Sequence, residues 1–179
     1  MGGRILWDVD TQVDFMLPEG KLYVPGAEEV ADNMRRLVEA ARGAGVVHVA
    51  SADDHELTDP EISDEPDFAN TFPPGLLPGL IQGRREILLL KKNFNVFTNP
   101  NTDPLLDALD PDEIVVFGVA TDVCDDAAIR GFLQRGRRVR FVEDAARGLD
   151  EDRVAASLAF WREGGVEFTT ADAVVKSLL

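Results

Sequence analysis

Cysteine occurs once in these 179 residues, at Cys124, and histidine only twice, at His48 and His55. A single thiol excludes internal disulfides and any metal site built on several cysteines. No apolar run approaches the roughly 20 residues needed to cross a bilayer. The opening Met-Gly-Gly-Arg-Ile-Leu-Trp-Asp lacks the basic-then-apolar pattern of a secretory leader. Together these absences predict a soluble, cytoplasmic protein. Positive charge is also scarce: 18 basic residues face 33 acidic ones, for a net charge of −15. A field of that sign repels phosphate backbones, which argues against nucleic-acid partners and anionic membranes.

What is present is a core-forming chain. Hydrophobic residues make up 45% of it, and its length suits one domain spanning residues 1–179. Short apolar runs at 4–8, 46–50, 86–90, 113–117, 138–142 and 166–170 read as strands. Most are continuously apolar, as strands buried on both faces of a parallel sheet are. Amphipathic windows at 27–42, 103–109, 123–135 and 153–163 read as the intervening helices, with Gly43, Gly45, Gly136, Gly164 and Gly165 where C-terminal caps belong. This alternation predicts an α/β fold of three layers, Rossmann-like, with a mostly parallel sheet of about six strands and helices on both faces. Residues 51–83 break the rhythm. They carry Pro60, Pro66, Pro73, Pro74 and Pro78 and eight acidic side chains between Asp53 and Asp67. So long an irregular loop after the second strand belongs over the carboxyl edge of the sheet, where such folds bind ligands.

Three strand exits carry chemistry-bearing residues. The first ends Asp8-Val9-Asp10-Thr11-Gln12-Val13-Asp14-Phe15, without the glycines of a dinucleotide site. Asp8 and Asp10 share a strand face, either as turn acids or as acid/base, metal or phosphoryl-transfer carboxylates. The third strand runs into Lys91-Lys92-Asn93-Phe94-Asn95-Val96-Phe97. The fourth runs into Gly118-Val119-Ala120-Thr121-Asp122-Val123-Cys124. There Thr121 or Asp122 is placed to cap the next helix, with Cys124 in its first turn. A helix N-terminus lowers a thiol's pKa, so Cys124 reads either as a small core residue or as a nucleophile. His48 lies within a strand as a core residue, so a cysteine enzyme here needs a base other than histidine, and Asp10 is available.

These three segments resemble the isochorismatase-like cysteine hydrolases, the superfamily of nicotinamidase and N-carbamoylsarcosine amidase. Asp10 to Phe15 is similar to the family's D-x-Q-x-D-F, Lys91 to Phe97 to its K-x-x-[YF]-x-x-F, and Gly118 to Cys124 to its G-[VI]-x-T-D-x-C. The resemblance implies a catalytic set of Asp10 as general base, Lys91 as its cationic partner and Cys124 as nucleophile. It implies a cis peptide between Val119 and Ala120, with oxyanion donors from the N–H groups of Ala120 and Cys124. Phe15, Phe72 and Phe94 stand where the family places aromatic pocket walls. The implied activity is hydrolysis of the C–N bond of a small carboxamide through a thioester, by a homodimer or homotetramer.

The metal site of nicotinamidases is only partly matched. Asp53-Asp54-His55 fits D-x-H, and the third ligand position falls near Glu61. The W-P-x-H histidine is absent, since that position reads Phe72-Pro73-Pro74-Gly75. Asp53, His55 and Glu61 are thus candidate ligands for a loosely held zinc or manganese ion, in a chemistry that does not require one. Three other readings compete. An isochorismatase-type hydrolase has no need of Cys124. A haloacid-dehalogenase-type phosphatase would use Asp8 as nucleophile and Asp10 as acid/base, but Gln12 departs from its motif. A catalytically inactive binding module would leave Cys124 with ordinary thiol reactivity.

Overall fold

A computed structural model describes residues 3–54 and 85–178. Six strands, β1 (Arg4–Val9), β2 (Val47–Asp53), β3 (Glu86–Lys91), β4 (Glu113–Val119), β5 (Val139–Arg147) and β6 (Glu167–Thr169), form one sheet. Their order is β3-β2-β1-β4-β5-β6, and every pairing is parallel. The helices are α1 (Val13–Met16), α2 (Ala31–Ala44), α3 (Thr102–Leu109), α4 (Cys124–Gln134), α5 (Glu151–Glu163) and α6 (Ala171–Leu178). Among the described residues no helix is long and apolar enough to cross a membrane.

Alternation along the strands divides the core in two. Leu6, Val115, Phe117 and Val142 face α2 and α6, meeting Met34, Leu37, Val38 and Val174. Ile5, Trp7, Val9, Ile114, Val116 and Phe141 face the other way, toward Ile129 and Phe132 of α4 and Trp161 of α5. Both faces are covered, which explains why the central strands read as unbroken apolar runs.

All six apolar runs form strands, and two of these, β2 and β5, extend three or more residues beyond them. β2 continues three residues past 50, paired with β1 as far as Ser51 and with β3 to its end, where Asp53 lies opposite Lys91. Asp53 is therefore a sheet residue and not part of a loop. β5 continues to Arg147 because an irregularity opposite Val116 and Gly118 lets it rejoin β4 at Ala146. The polar Glu143-Asp144 in that irregular stretch hid the continuation. The window 27–42 divides into a 3₁₀ turn, Ala27–Val30, and α2, which runs through Gly43 and stops at Gly45 with φ +69°. Helix α6 was not anticipated. Asp144 Oδ1 accepts a hydrogen bond from Ala171 N at 2.7 Å at its start, and Ala171 and Val174 seal it against the α2 face.

The chain goes outward from β1 to β3, then returns to place β4 against the other side of β1. That reversal opens a crevice at the carboxyl ends of β1 and β4, the usual ligand position in open parallel sheets. Gly118 lets the two strands close up there. Its φ is +142°, and a Cβ would lie 2.1 Å from the Val9 carbonyl oxygen. Gly118→Ala is expected to cost about 3 kcal/mol of stability, measured by urea denaturation. An unchanged midpoint would show that β1 and β4 separate freely.

Candidate active site

Lys91 is the last residue of β3, and its side chain is buried at 2% exposure. The β-alternation puts it on the Leu89 side of the sheet, pointing along the crevice. Its Nζ lies 2.8 Å from Asp10 Oδ2, contacts Asp53 Oδ1, donates to Asn93 O at 3.0 Å and reaches Cys124 Sγ at 3.8 Å. Burial alone would lower an ammonium's pKa. Here Asp10, Cys124 and Asp53 outweigh that and hold Lys91 well above its ordinary range.

Asp10 stands one residue beyond β1 with φ +51°, a left-handed conformation uncommon for a residue with a Cβ. The expectation that Asp8 and Asp10 share a face is overturned by this twist. Asp8 keeps the strand's alternation, while Asp10 is rotated toward Lys91. Asp10 N donates to Ser51 O at 3.0 Å, and Gln12 N donates to Asp10 O at 2.7 Å, closing the turn. Gln12 then grips the end of β2: its Nε2 donates to Asp53 O at 3.0 Å and its Oε1 accepts from Asp53 N at 2.7 Å. Complete burial pushes the Asp10 carboxyl up to about 7, with Asp53 adding to the rise and Lys91 and Cys124 opposing it.

Cys124 begins α4, but the expected cap is different. Val123 occupies the N-cap position and no side chain caps the helix. Asp122 is engaged elsewhere, accepting from Leu149 N at 2.7 Å and pairing with Arg153 at 3.0 Å. The Val119–Ala120 peptide is cis, and Ala120 O accepts from Val123 N and Asp125 N. The thiol is not lowered by its helix. Burial first, then the Asp10 carboxylate, pushes it well above the usual thiol value, and Lys91 only partly offsets them. In the resting site Cys124 is therefore a neutral thiol beside a carboxylate able to take its proton.

A cavity of about 420 Å³ opens over this cluster. Phe15, Val24, Phe94, Val123 and Leu149 supply apolar walls, Ala120 and Cys124 the floor, and Asp53 is the one charged lining residue among those described. Phe15 and Phe94, two of the three pocket-wall residues that the resemblance implied, are among the cavity's lining residues. Phe72, together with the candidate ligands His55 and Glu61, lies outside the described residues.

Beside the site lies a second buried polar group, of which the sequence marked Asp8 and His48 only singly. Asp8, Thr11, His48 and Asp125 are all at most 1% exposed. Asp125 follows the cysteine, and neither of its carboxyl oxygens has a hydrogen-bond partner among the described residues. Burial, then Asp10 and Asp8, pushes its pKa well above the usual carboxyl value. Its signal in the sequence was a carboxylate on the apolar side of an amphipathic helix. Asp8 does not line the cavity over this cluster, and Lys91 pairs with Asp10 and Asp53 instead. The D-x-D phosphatase arrangement, with Lys91 clamping a phosphate on Asp8, is not present.

Comparison with known proteins places this geometry. The family model for the isochorismatase domain matches residues 5–173. The chain belongs to the isochorismatase family. It is an isochorismatase-family hydrolase with relatives at low identity, among them the nicotinamidase of Escherichia coli K12, 26% identical over 96% of this chain and 97% of that one. The N-carbamoylsarcosine amidase of Thermoplasma acidophilum superposes with a TM-score of 0.81 at 25% identity, over 95% of this chain and 97% of the other. The pyrazinamidase of Pyrococcus horikoshii, solved in complex with zinc, shares the fold with a TM-score of 0.83 at 21% identity, over 93% of this chain and 98% of the other.

Asp10, Asp53 and Cys124 bring ligand atoms within 4.8 Å of one another. The Lys91 ammonium already contacts all three, so the position between them is held by a cation of the protein's own. The described residues therefore do not fit a metal at that cluster. The Gln12 clamp is the part of this site most open to direct test. Gln12→Leu removes both hydrogen bonds that Gln12 makes to the Asp53 N–H and C=O, with an expected loss of about 3 kcal/mol in urea denaturation. Full retention of stability would show that the β2 end is held by other contacts.

Proposed function

We propose that this isochorismatase-family protein is a cysteine amidohydrolase that releases ammonia or a small amine from a carboxamide. The observation that carries the reading is a neutral thiol lining one apolar cavity in contact with a buried carboxylate near pKa 7 and a buried ammonium, which pair with each other. Nucleophile, base and charge-compensating partner are the components this chemistry needs. The nicotinamidase and amidase relatives support the choice of a C–N bond.

The sequence of steps follows from the charges. Asp10, ionised, takes the Cys124 proton as the sulfur attacks the carbonyl carbon, and the carbonyl π electrons move to oxygen. The N–H groups of Ala120 and Cys124, at the cavity floor, are the proposed donors to that oxyanion. Collapse breaks the C–N bond, and Asp10 passes the proton to the departing amine, leaving a thioester. A water then gives its proton to Asp10 and attacks the thioester carbonyl. The second collapse expels the Cys124 sulfur, which recovers that proton, and the carboxylic acid leaves. Lys91 stays protonated throughout and offsets the negative charge as it moves between Asp10 and the sulfur. The apolar walls favour an uncharged acyl group, planar or aliphatic, of a size that about 420 Å³ admits.

The test is ammonia release from a panel of nicotinamide, pyrazinamide, N-carbamoyl amino acids, ureides and lactams. Turnover of at least one is expected, with Cys124→Ala and Asp10→Asn lowering it at least about a thousandfold. Turnover undiminished in Cys124→Ala would overturn the reading. Because Asp10 acts in its ionised form, kcat/KM should rise with pH through about 7 and then level. A rate falling over that interval would require a protonated Asp10 instead. Dialysis against a chelator should leave turnover unchanged, whereas loss restored by zinc or manganese would return Asp53 to a ligand role.

A further inference from the structure

The Asp8–Thr11–His48 group lies directly behind the Asp10 turn and has no part in the steps above. Asp8 projects with Leu6 to the α2 side of β1, away from Lys91. Thr11 Oγ1 donates to Asp8 Oδ2 at 3.0 Å, and His48 Nε2 lies 3.5 Å from the same oxygen. The His48 ring stacks on Phe117, with centroids 6.4 Å apart and planes 12° from parallel. A carboxylate at this depth is costly to desolvate, and an apolar residue would fill the strand position without that cost.

The hydrogen bond has a particular place in the chain. It joins the residue two before Asp10 to the residue just after it, so it spans the one residue of the site whose backbone is left-handed. The main-chain bonds of Asp10 N and Gln12 N fix the peptides on either side. Ser51 Oγ sits 3.4 Å from both Asp8 O and Asp10 Oδ1, joining the same turn to β2. The direction in which the Asp10 carboxylate faces sulfur depends on this turn, and displacements of about 1 Å can cost a hundredfold in rate.

We propose that Asp8, Thr11 and His48 are positioning residues: the Asp8–Thr11 bond closes the Asp10 turn, with His48 bracing Asp8, and so aims the Asp10 carboxylate at Cys124. The proposal rests on Asp10 being the base for Cys124. The lone cysteine gives a readout that needs no substrate, namely alkylation by chloroacetamide followed by intact mass from pH 5 to 9. Wild-type protein should show a rate rising through about pH 7. Thr11→Val should lower that limb about tenfold, and Thr11→Ser, which keeps the donor, should restore it to within about twofold. A folded Thr11→Val protein with the wild-type profile overturns the proposal, as does failure of Thr11→Ser to exceed it. If Thr11→Val does not fold, Asp8→Asn decides. It keeps an acceptor but loses its charge, so a limb lowered about threefold is expected, and a wild-type limb overturns the proposal. Asp10→Asn separates the two claims. If it leaves the pH limb intact, Asp10 is not the base, and the functional reading fails with this one. If it abolishes the limb while Thr11→Val does not, only the positioning role falls.

Discussion

A single ammonium, that of Lys91, holds the site together. It is buried at the end of β3 against Asp10 and Asp53 and within reach of Cys124. Without it, two carboxylates would share a water-poor crevice, and one would protonate or the crevice would open. Parallel pairing lets one cation serve both, because β3, β2 and β1 end side by side at the same edge. The fold thus delivers residues distant in the chain to a single point: Asp53 and Lys91 by strand register, Asp10 by its left-handed turn and Cys124 by the start of α4.

The same burial sets the protonation states. Desolvation lifts Asp10 to about 7 and Cys124 well above the ordinary thiol range. The resting pair is then a neutral thiol facing a carboxyl group that is ionised above about pH 7, with no standing thiolate. In the proposed mechanism the sulfur attacks only as a carbonyl accepts its electron pair and the proton leaves. Helix α4 contributes by placing Cys124, its backbone and the cis Val119–Ala120 peptide at the cavity floor. Any lowering of the thiol by its helix is overwhelmed by burial and by the neighbouring carboxylates.

Much of this was readable from residues. Continuous apolar runs predicted six buried strands, and the charged residues at their exits marked the functional edge. Asp10, Lys91 and Cys124 were identified by position and by the motifs around them, and the structure brings those three together. What escaped the sequence depends on distance and solvation. Asp53 looked like a loop residue because its pairing with Lys91 across β2 and β3 leaves no local pattern. The sign of the Cys124 shift could not come from its helix position, since the outcome depends on how far water is excluded. Asp8, His48 and Asp125 break apolar periodicity, yet only the fold shows that all three are buried around the Asp10 turn. Helix α6 was missed for a simpler reason: its short apolar stripe gains meaning only against α2.

The claim at the centre of this account is that a carboxamide carbonyl becomes bonded to Cys124. Rapid-quench intact-mass spectrometry with a turned-over amide, followed by peptide mapping, observes that bond directly. The account predicts a transient acyl adduct, equal in mass to the substrate minus its departing amine, confined to the Cys124 peptide and absent in Cys124→Ala. Sustained turnover with no adduct at any quench time, and with Cys124→Ala as active as the parent, would contradict it.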